Sequence, residues 1–346
     1  METDMRLLKR MYNWNHSIVE SIAVNAALSD TWMKPPSNLI LPEHVIGIEF
    51  EVENWTSEAD RALQSRFGEH TCICVADGSL RNNGMEIVTK PMMAKDAMAF
   101  AKTFFDLLPD NVDFSPRTST HIHVNVRDFN TDQVTALVAT YVCVERLLYK
   151  FVGNSRSKGI FCVPIIDSSL PSVMHNNTDL RVISNYWMKY SGLNLKPISK
   201  YGTVEFRHLG GTQDYTRLVD WLNLILGIVK FATENSLERV LERIYNLNSN
   251  SEYLLLLYDL YGPELASKLV GDSDYVKYME EAVTFVKIEL SSTHKFYSEL
   301  MQNCSTNCAL YRKVQATLIE DTKKVKLSTA DYNPQGFVNL FQIENP

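Results

Sequence analysis

Apolar and acidic residues alternate through His44-Val45-Ile46-Gly47-Ile48-Glu49-Phe50-Glu51-Val52-Glu53. A two-residue period is the mark of a β-strand with one apolar and one polar face. Ile46, Ile48, Phe50 and Val52 fall on one side; Glu49, Glu51 and Glu53 fall on the other. Three carboxylates on one face repel each other: a like pair at ~4 Å costs ~1 kcal/mol in water and ~4 kcal/mol at a partly shielded surface. Such a row calls for surrounding water or a neutralising cation.

The same period predicts strands over 71–75, 84–89, 119–127 and 202–208. In the third of these, His121, His123 and Asn125 oppose Ile122, Val124 and Val126; in the fourth, Glu205 and Arg207 oppose Val204 and Phe206. Glu86 stands among Met85, Ile87 and Val88. Helical spacing predicts helices over 6–28, from Ser57 as N-cap to Phe67, over 95–108, 131–151 and 214–233. Residues 152–185, rich in Ser, Asn and Pro, read as a long functional or disordered loop. From 236 onward the pattern is helical, over 236–247, 251–261, 263–270, 273–302 and 308–326. The predicted organisation is a helix and extended arm at 1–40, a mixed domain at 41–235 and a helical extension at 236–346.

If the apolar sides of these strands all meet helices, their polar sides assemble one surface: Glu49, Glu51, Glu53, Glu86, His121, His123, Glu205 and Arg207. An antiparallel sheet with one wet face would also carry polar residues there. Wet faces, however, collect Thr, Ser, Lys and mixed charges, whereas these are almost all residue types that hold divalent cations. Carboxylates with one or two imidazoles suit Mg²⁺ or Mn²⁺. Asp77-Gly78-Ser79 reads as an ordinary turn, with a metal-side role for Asp77 as the alternative. His208 and His175 are expected at the surface or in loops.

Composition narrows the function classes. The chain has 346 residues, 45% hydrophobic and 22% charged, with net charge −7 and pI near 5.7. That balance disfavours a nucleic-acid binder or a basic membrane-surface protein. The longest apolar run, 221–232, is too short to span a bilayer, and 1–26 lacks a signal-peptide core. Scattered cysteines at 72, 74, 143, 162, 304 and 308 suit reduced thiols in a cytoplasmic protein; Cys304 and Cys308 have no second ligand pair for zinc. No Gly-x4-Gly-Lys-[Ser/Thr] loop occurs, so a P-loop nucleotide site is excluded.

Four motifs resemble those of the amidoligase family, a branch of the glutamine synthetase-like carboxylate–amine ligases. They are Gly47-Ile48-Glu49-Phe50-Glu51; Asp77-Gly78-Ser79 with Gly84-Met85-Glu86-Ile87-Val88; Thr120-His121-Ile122-His123-Val124-Asn125; and Lys200-Tyr201-Gly202-Thr203-Val204-Glu205-Phe206-Arg207, extended by Leu193-Asn194-Leu195, by Gly211-Thr212 and to Trp221. The resemblance covers about 44–235 and implies an α+β fold: a glutamine synthetase-like curved antiparallel sheet with helices on its outer face. It implies ATP and two Mg²⁺ or Mn²⁺ ions, with Glu49, His121 and Glu205 around one ion, and Glu51 and Glu86, assisted by Asp77, around the other. Arg207 would meet the transferred phosphoryl group, with His123 and Lys200 near the phosphates and Glu51, Glu205 and Arg207 as the catalytic set.

Members of the family occur in phage and bacterial genomes. The implied partners are an amine and a carboxylate, small molecules or protein side chains. Arg156, Lys158, Arg181 and Lys200 are candidates to bind the substrate carboxylate or phosphates, although each also reads as a plain solvated base. A phosphotransferase on the same sheet, a metal-dependent hydrolase and a non-catalytic binding protein are the competing classes. The filled set of ligand positions favours the ligase.

Overall fold

The structure, a computed structural model, describes residues 34–68, 71–168, 179–270 and 275–286. The period-two segments build one antiparallel sheet from β1 (Val45–Val52), β2 (Cys72–Ala76), β3 (Met85–Thr89), β4 (Met92–Met93), β5 (Thr120–Asn125), β6 (Leu193–Asn194) and β7 (Thr203–Phe206). The strand order is β2-β3-β1-β5-β7-β6, with β4 also pairing β1. The opening strand is therefore central, flanked by the strands that carry Glu86 and the two histidines.

Helices α1 (Ser57–Phe67), α2 (Ala94–Leu107), α3 (Thr131–Val152), α4 (Leu180–Tyr186), α5 (Pro197–Tyr201), α6 (Tyr215–Glu234), α7 (Leu237–Tyr245), α8 (Asn250–Val270) and α9 (Tyr275–Phe285) complete the described chain. Ile46, Ile48, Phe50, Val52, Ile122, Val124, Val204 and Phe206 are buried on one side of the sheet. They meet α2 and α3: Phe50 packs on Phe104 with ring centroids 5.0 Å apart, and Tyr141 on Phe206 at 6.1 Å. Helix α3 is buried nearly all round because α6, α7, α8 and α9 pack against it. It starts with a capping box in which Asn130 and Gln133 satisfy each other's backbone N–H groups.

Several expectations are corrected. The N-cap of α1 is Thr56, whose hydroxyl accepts from the Ala59 N–H, and not Ser57. Both residues can cap, and only the extended backbone at Thr56 decides between them. The stretch 152–185 contains two short 3₁₀ turns, Arg156–Lys158 and Ile165–Asp167, before α4. The two helices expected at 251–261 and 263–270 are both present within the span α8, separated by the non-helical Gly262, whose φ of 73° no helix contains, before Pro263. Arg181 is exposed and ion-paired with Asp179 at 2.8 Å, and Lys158 sits exposed in its 3₁₀ turn. The described cysteines, Cys72, Cys74, Cys143 and Cys162, are free thiols. No described helix is long and apolar enough to cross a membrane. The helix expected at 6–28, His175, the helices beyond 286 and the Cys304/Cys308 pair lie outside the described residues.

His208 is also corrected: it is fully buried. Strand parity places it with Val204 and Phe206 on the helix side. Its Nε2 lies 2.7 Å from the Tyr141 hydroxyl, which in turn donates to Glu145 at 2.6 Å. Because the Tyr141 proton goes to Glu145, His208 Nε2 must be the donor in its pair. Burial, with Arg156 nearby, pushes the His208 pKa down to about 3, so the ring is neutral. Glu145 also accepts the Ile165 and Ile166 N–H groups at 2.7 and 2.9 Å. Burial, only partly offset by these donors, lifts its carboxyl to about 7. This chain of polar groups ties α3 to β7 and to the loop after α3, beneath the strand that bears Glu205 and Arg207.

Candidate active site

The side of the sheet away from α2 and α3 is polar but not wet. Glu51, His121, His123, Glu205 and Arg207 are only 3–8% exposed. The wall that covers them comes from the segment between α4 and β7. Its residues Lys189, Asn194, Lys196, Pro197, Lys200 and Tyr201 close a pocket of about 330 Å³ over Glu49, Glu51, Asp77, Glu86, His121, His123, Glu205 and Arg207. Gly202, at φ 70°, takes the left-handed turn that lets α5 end and β7 begin at once.

Register explains how the side chains meet. Glu49 lies opposite His121, Glu51 opposite Glu86, and His123 opposite Glu205. His121 Nδ1 is 3.2 Å from Glu49 and 3.4 Å from Glu205; its Nε2 is 3.9 Å from Glu51. His123 Nε2 is 3.1 Å from Glu49. Arg207 donates to Glu205 Oε1 and, through Nε, to the Phe161 carbonyl at 3.4 Å, and its guanidinium lies over the Tyr190 ring. Asp77 Oδ1 accepts from the Ser79 N–H at 2.7 Å, the ordinary Asx turn, while the same residue lines the pocket. Glu53 is the one acid of the opening row that stays out of the pocket. It is 2% exposed and accepts the Arg81 N–H at 2.9 Å, so it fixes a loop and does not face solvent.

Ser119, together with Thr203 and Asn194, which lie in the motifs without an assigned role there, holds these groups in place. Ser119 donates to Glu51 at 2.5 Å and lies 2.8 Å from His121 Nε2. Thr203 meets His123 Nδ1 at 3.0 Å, leaving Nε2 to face Glu49. Asn194 donates to Glu205 Oε2 at 2.6 Å. Ser119 and Thr203 share strand parity with His121 and Glu205, and Asn194 alternates with Leu193 and Leu195, so a signal existed for all three. For Lys189 and Lys196, in an irregular segment, no periodic signal exists.

The two halves of the pocket differ in charge. Burial alone would raise the Glu49 pKa, but His123 and His121 outweigh it and hold the carboxyl well below its usual range. Burial opposes the charged form of His123 too; Glu49 and Glu205 overcome it and raise its pKa. Glu86 is the reverse. Burial, then the charges of Glu49, Glu51 and Asp77, push it well above the usual carboxylate range. The histidine side is thus internally neutralised, while Glu86 faces the charges of Glu49, Glu51 and Asp77, and of these acids Glu51 has His121 Nε2 at 3.9 Å. Such crowded carboxylates fit a divalent cation. On the other side Glu49, His123 and Glu205 each offer a ligand atom, all within 4.8 Å of one another. The resemblance puts His121, not His123, in that group; in the structure both imidazoles reach Glu49.

Residues 43–229, more than half of the chain, match the family described as "Putative amidoligase enzyme". The chain belongs to this amidoligase family. The matched span holds every side chain that lines the pocket. No curated protein matches the chain. A solved structure described as that of a "novel glutamine synthase homolog" is distantly similar, with 11% identity and a TM-score of 0.35 over 86% of this chain and 74% of that one. Family membership makes a ligase-type function the plain expectation for the amidoligase site, and the α+β antiparallel sheet has the expected form.

Proposed function

We propose that this amidoligase is an ATP- and Mg²⁺-dependent carboxylate–amine ligase that works through an acyl phosphate. The observation that supports it is the convergence of Glu49, Glu51, Glu86, His121, His123, Glu205 and Arg207 from four separate strands on one pocket. Glu49 and Glu205 with His123 or His121 would hold one ion; Glu51 and Glu86, with Asp77 beside them, would hold the other. Bound there, Mg²⁺ or Mn²⁺ would neutralise the triphosphate and the charge spread over the phosphoryl group in transfer.

The chain's own residues supply the rest. Arg207, kept charged by Glu205 and Glu49 despite its burial, presents a rigid fork of donors to the equatorial phosphoryl oxygens. Lys189, Lys196 and Lys200 line the rim. Their ammonium groups rest on the Tyr190 ring, the Asn185 carbonyl and the Tyr201 ring, and among the described residues not on carboxylates, so they are available to phosphate oxygens. Ser119, Thr203 and Asn194 orient Glu51, His123 and Glu205.

In the reaction, a carboxylate oxygen of the substrate attacks the γ-phosphorus and ADP leaves. The amine nitrogen then attacks the acyl carbon, the C–N bond forms, phosphate departs and the nitrogen loses a proton. Mg²⁺-dependent ADP release, screened over amino acids, polyamines and carboxylic acids, is expected only when an amine and a carboxylate are both present. The matching conjugate should appear by mass. ADP release that needs only one of the two, with a phosphorylated product, would replace the ligase with a phosphotransferase. On the same account the protein works in the cytoplasm, residues 41–235 form its catalytic part, and residues 1–40 and 236–346 add an N-terminal arm and a helical extension.

A further inference from the structure

Besides Glu205, three groups on two stretches of irregular backbone hold Arg207. Phe161 supplies the carbonyl 3.4 Å from Nε, Tyr190 the ring beside the guanidinium, and Gly192 the carbonyl that accepts the Arg207 N–H at 2.9 Å. The two stretches are cross-linked at Val163. Its N–H donates to the Tyr190 carbonyl at 2.7 Å, and its carbonyl accepts the Gly192 N–H at 2.8 Å. They form one shelf, and where that shelf sits decides where Arg207 points.

The shelf is tied to α3 through Glu145. This fully buried carboxylate accepts the Ile165 and Ile166 N–H groups, just past Val163, and the Tyr141 hydroxyl. One turn along α3, Tyr149 donates to the Cys162 carbonyl at 3.0 Å. A Cβ on Gly192 would lie 2.5 Å from the Tyr149 hydroxyl, 2.7 Å from His208 Nε2 and 2.8 Å from the Tyr141 hydroxyl, so the far side of the shelf rests on the same polar side chains. None of them lines the metal pocket. An ionised carboxylate offers only lone pairs and suits three donors; a protonated one brings an O–H of its own. To take that proton, Tyr141 would have to turn its own toward His208 Nε2. The imidazole proton would then move to Nδ1, which has no hydrogen-bond partner among the described residues.

We propose, building on the ligase function above, that Glu145 is a positioning residue for phosphoryl transfer: as a carboxylate it fixes the shelf that aims the Arg207 guanidinium, and its protonation releases that aim. Around it stand Tyr141, Tyr149 and Arg146 on α3, His208 beyond β7, and Cys162 and Arg156 in the loop after α3. Arg146 is paired with Asp167 and Glu281, Arg156 donates to the His208 and Arg207 carbonyls, and Tyr253 of α8 donates to the Cys143 carbonyl. Burial keeps Tyr141, Tyr149 and Cys162 protonated and His208 neutral. Glu145, lifted to about 7, is the member of this group that changes charge near neutrality. Above that pH it is ionised and the shelf is fixed; below it the carboxyl is neutral and the shelf loosens.

Magnetic resonance of the full chain carrying isotope-labelled arginine reads the Arg207 Nε–H without any substrate; its signal is the one missing from Arg207→Lys. In the wild type that signal should shift with a midpoint near pH 7. His123 and Glu86, on the pocket side, also have raised pKa values, so two variants decide. Glu145→Gln should abolish the step. Tyr141→Phe removes a donor that favours the carboxylate and should move the midpoint up by roughly half a unit or more. It keeps the ring and is expected to fold, so it decides by itself if Glu145→Gln does not. In the ADP-release assay kcat should fall below pH 7 with little change in KM for ATP, and this limb should follow the same midpoints. An Arg207 signal that does not titrate, or that titrates alike in wild type and Tyr141→Phe, would overturn the proposal whatever the turnover. The expected shifts in a chain that releases no ADP with any amine and acid would leave the hold of Glu145 on Arg207 standing and remove the ligase function instead.

Discussion

Glu205→Gln is expected to lower nucleotide turnover by roughly 10³-fold or more, equivalent to about 4 kcal/mol of transition-state stabilisation. Glu205 has no idle oxygen. Oε1 takes Arg207 and faces His121 Nδ1 at 3.4 Å, while Oε2 takes the Asn194 amide at 2.6 Å. A glutamine keeps the shape but loses the charge that would hold the ion. It also turns an N–H₂ group toward one of two donors, leaving a buried polar group unsatisfied at about 1–3 kcal/mol. That cost is a fraction of a typical domain's stability of about 5–15 kcal/mol, so the variant should still fold. Steady-state ADP release and a thermal melt, run on the same preparation, separate the two effects. Wild-type turnover in the variant would remove Glu205 from the metal site.

Arg207→Lys should cost roughly 10²-fold in kcat with a smaller change in KM for ATP, because the positive charge survives and the fork does not. Three contacts set the guanidinium plane: Glu205, the Phe161 carbonyl and the face of Tyr190. An ammonium on a flexible stem can satisfy one of these at a time. A lysine variant with undiminished kcat would mean that Arg207 only balances the charge of Glu205. An equal loss in kcat/KM and rise in KM would place it in ground-state binding.

Much of this site was legible in the chain because a strand's parity is unforgiving. Once Ile46, Ile48 and Phe50 face the helices, Glu49 and Glu51 have no choice of side, and the same holds for His121 and His123 against Ile122 and Val124. Parity also carried the answer for His208, which continues the Val204–Phe206 face; its polar ring suggested the surface, but Tyr141 and Glu145 satisfy it inside. Glu53 failed for the opposite reason. It keeps the alternation of Glu49 and Glu51, yet the strand ends at Val52 and the next residue turns to the loop at Arg81. Only part of the pocket's wall was legible: Asn194, Lys200 and Tyr201 fall within motifs, the rest does not. Lys189 and Lys196 sit in irregular backbone whose position depends on packing and not on period, and a second cavity is made of pieces from 114–118, 152–162 and 209–217 that only the fold brings together. The choice of Thr56 over Ser57 as a cap is a matter of one backbone angle.

Binding of Mn²⁺, counted by paramagnetic resonance in the presence of ATP, tests the metal-holding pocket without any need to know the amine or the acid. The account predicts two ions per chain at about millimolar Mn²⁺ or below, with at least one lost in Glu51→Gln and in Glu205→Gln and a raised melting temperature in the wild type. A wild-type chain that binds none, or variants that bind as many as the wild type, would contradict it.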